Sequence, residues 1–464
     1  MDTAIEAPKT YNKKLVYVVG TIAALAGLLF GIDIGVINGA LQFIKVDFHL
    51  QNHVGLQEMI VSSLLVGAVV GTLLSNPLSH RLGRRKTLLI SAVIFAIGSL
   101  LCAVAPDYWT LIILRFILGT AVGMASFTAP IYLSEVSPKQ IRGGLISLYQ
   151  LMITIGILLS SLSNMYFSAR GDWRAMFGVI FIPAAIMFFG VLTLPRSPRW
   201  LMLKGQKEHA KNVLTKILVV DKEVKREMQE IEANLARTQQ GWSVFRLKYF
   251  RRVLALGMML QLIQIMTGMN TLMYYSTHIY ELIGFSVAEQ MWGAVGLTTL
   301  NVLTTFIAIA VIDKWGRRPL LFFGLIFMTL GMAFLGFGFH MGANTGILKD
   351  IIVVGMLVFI FGYAVSIGPV IWVLCAEIFP LKSRDIGVMF TTATNWICCA
   401  IIGGCFLTLL NSLGPNFTFW LLGLICIFSI IFVSIFAPET KNVPLEIIER
   451  NLIEGKRLHD IGQV

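Results

Sequence analysis

The most regular feature of this chain is an alternation of long apolar runs with short polar segments. A helix needs about 20 apolar residues to cross a hydrocarbon core of about 30 Å. Runs of that length lie at about residues 15–40, 59–80, 87–105, 108–131, 145–166, 174–194, 253–280, 290–312, 319–341, 350–376, 387–411 and 416–437. The pattern therefore predicts an all-α integral membrane protein with twelve transmembrane helices.

A charged motif between these runs occurs twice, about half a chain length apart. Arg81-Leu-Gly-Arg-Arg-Lys86 follows the second run, and Lys314-Trp-Gly-Arg-Arg-Pro319 follows the eighth. Two further pairs of segments repeat in the same order, which are Ser134–Gly143 with Ala376–Asp385 and, more weakly, Leu194–Ser197 with Ala437–Thr440. A half-length repeat in a membrane chain predicts two pseudo-symmetric six-helix bundles that face each other across a pathway.

Composition and charge argue against the main alternatives. Of 464 residues, 56% are apolar and only 13% are charged, whereas a soluble protein carries about 25% charged residues. The net charge of +12 comes from short basic segments without interleaved aromatic residues, so it does not indicate a nucleic-acid partner. The six cysteines lie inside apolar runs and lack metal-ligand or redox spacing, so we expect no metal and no cofactor.

The distribution of Lys and Arg predicts how the chain sits in the bilayer. Basic segments follow the second, fourth, sixth, eighth and tenth runs, at residues 81–86, 139–142, 196–252, 314–318 and 382–384. Loops rich in Lys and Arg stay in the cytoplasm. We therefore expect a multi-pass protein of the inner (plasma) membrane with both termini in the cytoplasm. The first run extends past residue 40 without a cleavage site, so it stays as the first span.

One long polar stretch divides the chain into domains. We expect a first six-helix bundle over 1–194, a cytoplasmic linker over 195–252, a second bundle over 253–437 and a cytoplasmic tail over 438–464. Apolar residues of the linker recur at helical spacing, which predicts short amphipathic helices. A segment of this length cannot build a large catalytic core, and no nucleotide-binding loop or nucleophile motif is found. The sequence thus indicates a secondary transporter and not an enzyme.

Two ionisable residues lie deep inside predicted spans. Asp33 is in the first span and Arg115 is in the fourth. A charge near the bilayer centre costs about 2.5–3.5 kcal/mol on insertion scales, so each needs a reason to be there. One reading is a static ion pair that fixes two helices. The other is a proton carrier, because alternating burial and pairing loads and releases a proton.

Uncharged polar residues also lie near the centres of spans, mostly in the second half. In the seventh span Gln261, Gln264 and Gly268 share one helical face, and local unwinding at Thr267-Gly268 would turn Asn270 toward the same cavity. Amides and indoles suit a neutral polyhydroxylated ligand, whereas the alternative is hydrogen bonding between helices. The remaining candidates are Gln150, Tyr274, Asn301, Trp372, Asn395 and Trp396.

At these motifs the chain resembles the sugar porter family of the major facilitator superfamily over nearly its whole length. The motifs are the two R-x-G-R-R elements, the two Glu-x-x-Pro-x-x-x-Arg elements, Ser197-Pro198-Arg199 and Pro438-Glu439-Thr440. Within that family the chain is most similar to bacterial galactose–proton and arabinose–proton symporters. Segments that carry this likeness include Ala26–Asp33, Tyr149–Ile157, Gly368–Trp372 and Thr394–Trp396.

The resemblance implies roles for individual positions. Asp33 matches the proton-coupling carboxylate, with Arg115 as its partner. Positions that match sugar contacts are Phe30, Gln150, Gln264, Asn270, Asn301, Trp372, Asn395 and Trp396, and Tyr274 and Ile265 lie beside them. Charged residues that match a cytoplasmic gate are Arg84, Arg85, Glu135, Arg142, Arg317, Arg318, Glu377, Arg384 and Glu439.

The chain departs from the family pattern at three positions. Ile265 replaces the second of two adjacent glutamines, which removes a donor and an acceptor for a sugar hydroxyl. His80 and Arg196 stand where many members have acids, so we expect the gate to be stronger in the second half.

The function expected from the resemblance is proton-coupled import of a monosaccharide, of the galactose or glucose type, by a monomer in the bilayer. Alternatives are arabinose or xylose symport, facilitative uniport and sugar sensing without transport.

Overall fold

The computed structural model describes residues 11–138, 141–236, 241–342, 346–380, 383–441, 443 and 445–463. Within this part of the chain, twelve helices or helix pairs are long and apolar enough to cross a membrane. The predicted twelve-span, all-α fold is therefore confirmed. The domain boundaries at residues 194, 252 and 437 stay predictions.

The first six spans comprise seven helices. They are α1 (Lys13–Asp47), α2 (Val54–Leu82), α3 (Arg84–Ala103), α4 (Tyr108–Val136), α5 (Arg142–Ser168) and the consecutive pair α6 (Trp173–Gly178) and α7 (Phe181–Thr193). Three short helices follow, α8 (Pro198–Leu203), α9 (Lys207–Ile217) and α10 (Asp221–Ala236), and then a 3-10 turn at Gly241–Arg246. The short helices predicted for the linker are thus present.

The last six spans comprise nine helices, because three of these spans are interrupted. They are α11 (Lys248–Met266), α12 (Met269–Leu282), α13 (Val287–Trp315), α14 (Arg317–His340), α15 (Gly346–Val365), α16 (Ile367–Glu377), α17 (Arg384–Gly403), α18 (Phe406–Leu413) and α19 (Pro415–Phe436). A final helix, α20 (Leu445–Ile453), lies beyond the last span.

Helices of each half pack mainly on one another. In the first half α1 lies along α5 and α2 along α4, and in the second half α14 lies along α15 and α19. The halves meet where α5 packs on α13 and α2 packs on α17. We call the end that carries the loops at Gly83 and Gly316 the basic end. The end that carries residues 48–53 is the opposite end.

Glycine allows close contacts between helix backbones in the first half. A Cβ atom on Gly31 of α1 would lie 2.0 Å from the carbonyl oxygen of Ile153 on α5. A Cβ atom on Gly119 of α4 would lie 2.0 Å from the carbonyl oxygen of Leu64 on α2. Small residues of this kind let membrane helices approach until their backbones touch. These two contacts fix α1 and α4, the helices that carry Asp33 and Arg115.

The interruptions of the second half occur at specific residues. Between α11 and α12, Gly268 has φ 99°, a left-handed conformation that glycine tolerates best. The unwinding predicted at Thr267-Gly268 is therefore confirmed. Ser366 separates α15 from α16, and Gly404 and Cys405 separate α17 from α18. Each break frees backbone groups that need new partners inside the membrane.

The C-terminal segment is folded, whereas the sequence indicated only a tail. Helix α20 buries Ile448 and Leu452, and the buried Asn451 side chain donates to the carbonyls of Ile461 and Gln463 at 3.0 and 2.8 Å. The guanidinium of Arg252, at the start of α11, donates to the carbonyls of two residues that follow α20. The segment thus packs against the start of α11 in the second half.

Candidate functional site

The predicted carboxylate lies in a closed, apolar part of the first half. The Asp33 side chain is 1% exposed, and neither of its oxygens accepts a hydrogen bond from a described residue. Arg115 is equally buried. Its Nε donates to the carbonyl of Ile60 at 2.8 Å, its guanidinium lies 5.5 Å from the centre of the Phe177 ring, and its Nη1 has no described acceptor. The direct Asp33–Arg115 ion pair is thus not formed in this structure.

An amide cluster forms the polar centre of the second half. The Asn395 Nδ2 atom, on α17, donates to Gln261 Oε1 at 2.8 Å and to Gln264 Oε1 at 3.2 Å, both on α11. The Gln264 amide in turn donates to the Tyr363 hydroxyl at 3.4 Å and to the Gly368 carbonyl at 3.3 Å. These bonds join α11, α15, α16 and α17 around one buried set of donors and acceptors.

A thiol extends this cluster to α12. The Asn270 Nδ2 atom donates to the sulfur of Cys399 at 2.9 Å, and the Cys399 thiol donates to the side-chain oxygen Oδ1 of Asn395 at 3.7 Å. Asn270 is half-buried, so part of its amide stays open. Tyr363 and Cys399 were missed by sequence reasoning, because a tyrosine or cysteine in an apolar run carries no signal by itself.

Aromatic residues connect the two halves at the same level. The rings of Phe30 on α1 and Trp396 on α17 meet edge to face, with centroids 5.0 Å apart. Three polar atoms of aromatic side chains are buried without a described partner. They are Trp396 Nε1 and the hydroxyls of Tyr274 on α12 and Tyr149 on α5. Such atoms are costly unless a ligand, a water molecule or a second conformation satisfies them.

The other predicted contact residues lie on the surrounding helices. Gln150 on α5 and Trp372 on α16 are half-buried, whereas Asn301 on α13 is 3% exposed. Ile265 is also buried, one residue after Gln264 on α11. The structure thus brings Gln264, Asn270 and Asn395 into one hydrogen-bonded cluster. The remaining candidates lie elsewhere on α1, α5, α11, α12, α13, α16 and α17.

At the opposite end, hydrogen bonds join α1 of the first half to α12 of the second. The buried Asn38 amide donates to the Ser276 hydroxyl at 2.7 Å, and its oxygen accepts from the backbone N–H of Thr277 at 3.2 Å. The Thr277 hydroxyl donates to the Asn38 carbonyl at 2.7 Å. Farther out, Lys45 forms an ion pair with Glu281 at 3.0 Å. These contacts hold the two halves together at that end.

At the basic end, both copies of the repeated motif build the same arrangement. Arg84 Nη2 donates to Glu135 Oε1 at 2.8 Å, and the Ser197 hydroxyl donates to the other Glu135 oxygen at 2.6 Å. The second copy is made by Arg317, Glu377 and Thr440, again with distances of 2.8 and 2.6 Å. The repeat predicted from sequence is therefore also a repeat of contacts, and each copy lies within one half of the molecule.

The two copies differ at one carboxylate. Glu439 accepts from the backbone N–H groups of Arg317 and Arg318 at 3.1 and 3.0 Å, at the start of α14. The corresponding Arg196 is exposed and has no oxygen on its side chain to do the same at the start of α3.

The other predicted gate residues bind backbone carbonyls. Arg85 donates to Val191 and Leu192, Arg318 to Ser434, and Arg384 to Ala376. The side chain of Arg142 lies outside the described residues.

The architecture and the motifs have counterparts among known proteins. A family model described as "Sugar (and other) transporter" matches residues 19–452. The chain is 49% identical to the galactose-proton symporter of Escherichia coli strain K12 over 453 residues, which covers 97% of each protein. It is 46% identical to the arabinose-proton symporter of the same strain over 454 residues, with 96% of this chain and 95% of that protein covered.

Solved structures agree with these sequence matches. The proton:xylose symporter XylE bound to 6-bromo-6-deoxy-D-glucose superposes with a TM-score of 0.82 at 30% identity, covering 97% of this chain and 99% of that one. A partially occluded inward open conformation of the xylose transporter XylE from E. coli gives a TM-score of 0.83 at 29% identity, with coverage of 93% and 100%.

Proposed function

Because the chain belongs to the sugar transporter family, we propose that it is a proton-coupled symporter that imports a monosaccharide through a pathway between its two halves. The family predicted from the repeated motifs is confirmed by the match over residues 19–452. The protein is a multi-pass membrane protein. Its proposed activity is secondary active transport, with a monosaccharide and a proton as the transported partners and no enzymatic step.

The proposed substrate is a hexose of the galactose or glucose type. Relatives of similar identity are named for galactose and for arabinose, so a pentose such as arabinose or xylose is the alternative. The amide cluster suits either class, because each amide can both donate and accept a hydrogen bond to a hydroxyl group. Phe30 and Trp396 offer flat apolar surfaces to a sugar ring beside it.

The observation that carries the proton coupling is the buried Asp33 carboxyl without a described partner, in the same half as an equally buried arginine, Arg115. A carboxylate enclosed in apolar surroundings without a hydrogen bond costs several kcal/mol, so a proton or a cation has to join it. Arg115 is anchored to Ile60 but keeps Nη1 free of described acceptors. A small movement of α1 toward α4 would let Arg115 replace the proton on Asp33.

The proposed cycle follows from which end of the molecule is closed. With the basic end placed in the cytoplasm, the bonds of Asn38 and Lys45 close the external side in this structure. Sugar and proton enter from outside when those bonds are broken. They leave toward the cytoplasm when Asp33 pairs with Arg115 or meets water. Alternating exposure of one central site to the two sides is the general scheme for transporters built from repeats.

We assign a gating role to the repeated charged motifs. Each arginine–glutamate pair joins the basic ends of two spans within one half, and we propose that these two ion pairs meet when the cytoplasmic side closes. The orientation with both termini in the cytoplasm, the location in the inner membrane and the monomeric state belong to the same proposal.

Asp33→Asn tests the proposed function in proteoliposomes. The amide cannot release a proton, so we expect uphill accumulation of labelled sugar driven by a pH gradient to be lost. Exchange of internal for external sugar should persist, because that step needs no net proton movement. A panel of galactose, glucose, arabinose and xylose, with and without the gradient, identifies the preferred sugar.

Asp47→Asn is the matched control, because Asp47 is an acid on the same helix whose side chain is half-exposed and bound to Arg174 and Trp173. It should accumulate sugar as the unmodified protein does. Full accumulation by Asp33→Asn would exclude Asp33 as the coupling group. Sugar uptake by the unmodified protein that does not depend on the pH gradient would indicate a uniporter. Absence of any sugar uptake would favour a sugar sensor.

A further inference from the structure

A second buried carboxylate, Glu58 near the start of α2, binds across the interface between the two halves. It is 3% exposed. Its Oε1 accepts from the backbone N–H of Thr408 at 2.8 Å, and its Oε2 accepts from the Thr408 hydroxyl at 2.7 Å. Both oxygens of a residue in the first half are therefore occupied by one residue in the second half.

The contact with Glu58 matters because Thr408 lies at the start of a helix. Thr408 is the third residue of α18, the short helix that follows the break after α17. Cys405, which precedes α18, makes no side-chain cap to it. The first amides of a helix lack partners within the helix, and a carboxylate there also interacts favourably with the helix dipole. Glu58 thus supplies from the other half the cap that the sequence of α18 lacks.

Helices α2 and α12 enclose the break between α17 and α18. A Cβ atom on Gly404 would lie 3.2 Å from Ser62 of α2, so α2 packs tightly against the interruption. On the other side, the Tyr275 hydroxyl of α12 donates to the free carbonyl of Gly403 at 2.7 Å, and its ring stacks on Phe406 at 5.5 Å. The N–H groups of Gly404 and Cys405 bond back to α17 at 3.0 and 3.3 Å, whereas the Gly403 carbonyl and the Thr408 N–H find their partners on α12 and α2.

We propose that Glu58, from the first half of the molecule, caps α18 in the second half. This cap couples the helix break after α17 to the closure of the external side, so that both form and are lost together. The inference rests on the proposed alternating access, because it concerns how the two ends of the molecule open and close in turn. When α2 withdraws, the N–H and the hydroxyl of Thr408 lose their acceptor and Glu58 meets external water. Glu58 is then a positioning residue of the transport cycle, which acts through α18 and not on sugar or proton.

The test measures the closure directly and needs neither sugar nor a pH gradient. Spin labels on Asn52→Cys of the first half and Ala288→Cys of the second, both exposed at the opposite end, report the distance between the halves by pulsed electron resonance. Glu58→Ala should raise the ratio of open to closed external side by about tenfold or more, since two bonds to a charged group are lost. Thr408→Val, which keeps the backbone N–H, should give a smaller shift in the same direction.

Two variants serve as controls. Thr408→Ser retains the hydroxyl and should keep the unmodified distribution. Gln57→Ala removes a buried side chain next to Glu58 whose amide binds Leu50 within the first half at 2.8 Å, so it should leave the ratio unchanged. If Glu58→Ala fails to fold, Thr408→Val and Glu58→Gln carry the test.

An unchanged distance distribution in the folded variants would overturn the proposal, and so would an equal shift in Gln57→Ala. A shift that appears in a protein without sugar uptake would support the cap while contradicting the proposed function.

Discussion

Ile265 is the residue at which this chain differs most directly from its family in the candidate sugar site. It is buried one position after Gln264, where an amide would add a donor and an acceptor to the cluster around Asn395. An unsatisfied hydroxyl in a desolvated site costs about 1–3 kcal/mol. We propose that the absence of that amide shifts the sugar preference, because it leaves one sugar hydroxyl without a partner.

We expect Ile265→Gln to change sugar preference more than it changes maximal rate. The added amide should lower the KM for a sugar whose hydroxyl reaches it by about tenfold, corresponding to one satisfied buried hydrogen bond. Competition between labelled galactose and unlabelled arabinose, xylose and glucose measures the change. Met266→Gln, placed off the face of Gln261 and Gln264, is the control and should leave the order of preference intact. An identical order in both variants would remove Ile265 from the specificity site.

Individual residues differed in how far the sequence identified them. Asp33 and Arg115 could be predicted because a charge inside an apolar run is rare and costly. Glu58 could not be predicted, because an acid at the edge of a span looks the same as one that faces water. Its partner Thr408 is 350 positions away, and only the packing of α2 on α18 brings them together. Asn38 was not predicted either, because its partners Ser276 and Thr277 are also far away in the sequence.

At the scale of elements, the repeat predicted from the charged motifs extends to atomic contacts. Each copy joins an arginine after the glycine turn, a glutamate at the end of a span and a hydroxyl beyond the sixth or twelfth span. What the sequence could not supply was the position of the breaks at Ser366 and Gly404. Those breaks depend on tertiary partners, whereas Gly268 was readable because a Thr-Gly pair interrupts a polar helical face.

Glu439 provides a prediction at this scale. Glu439→Ala removes the side-chain acceptor from two backbone amides of α14, which should lower the free energy of unfolding by about 1 kcal/mol. Conversely, Arg196→Glu places an acid near the start of α3 and should raise stability by about 0.3–1 kcal/mol. Heat denaturation in detergent measures both.

Glu454→Ala, which removes an exposed ion pair with Arg450 at 3.8 Å, should change the midpoint little. No loss of stability in Glu439→Ala would contradict the asymmetry between the two halves, and so would no gain in Arg196→Glu.

For the molecule as a whole, the contacts between the halves at the opposite end are of unequal strength. Asn38 is buried and engaged with two residues of α12, whereas the Lys45–Glu281 pair is partly exposed, with side-chain accessibilities of 19% and 45%. Exposed ion pairs contribute about 0–1 kcal/mol, but an unsatisfied buried amide partner costs about 1–3 kcal/mol. We therefore propose that the buried amide contributes more than the ion pair to the balance between the open and closed external side.

We expect Asn38→Ala to raise the ratio of open to closed external side by about tenfold and Lys45→Met by about twofold or less. The same pair of spin labels measures both ratios. Asn164→Ala is the control, because its amide binds the Gly35 carbonyl at 2.8 Å within the first half. A larger shift from Lys45→Met than from Asn38→Ala would reverse this ranking.

The uneven placement of the helix breaks has a consequence for how stoichiometry is kept. Asp33 lies on the unbroken α1, whereas the amide cluster lies among α11, α12, α16 and α17, where the spans are interrupted. Three spans are thus interrupted in the half that holds the amide cluster, against one in the half that holds Asp33. We propose that a sugar with one carbon more or less is accommodated by bending at these interruptions, which leaves the position of Asp33 on α1 undisturbed. We therefore expect the ratio of protons to sugar to be the same for each sugar that the chain transports.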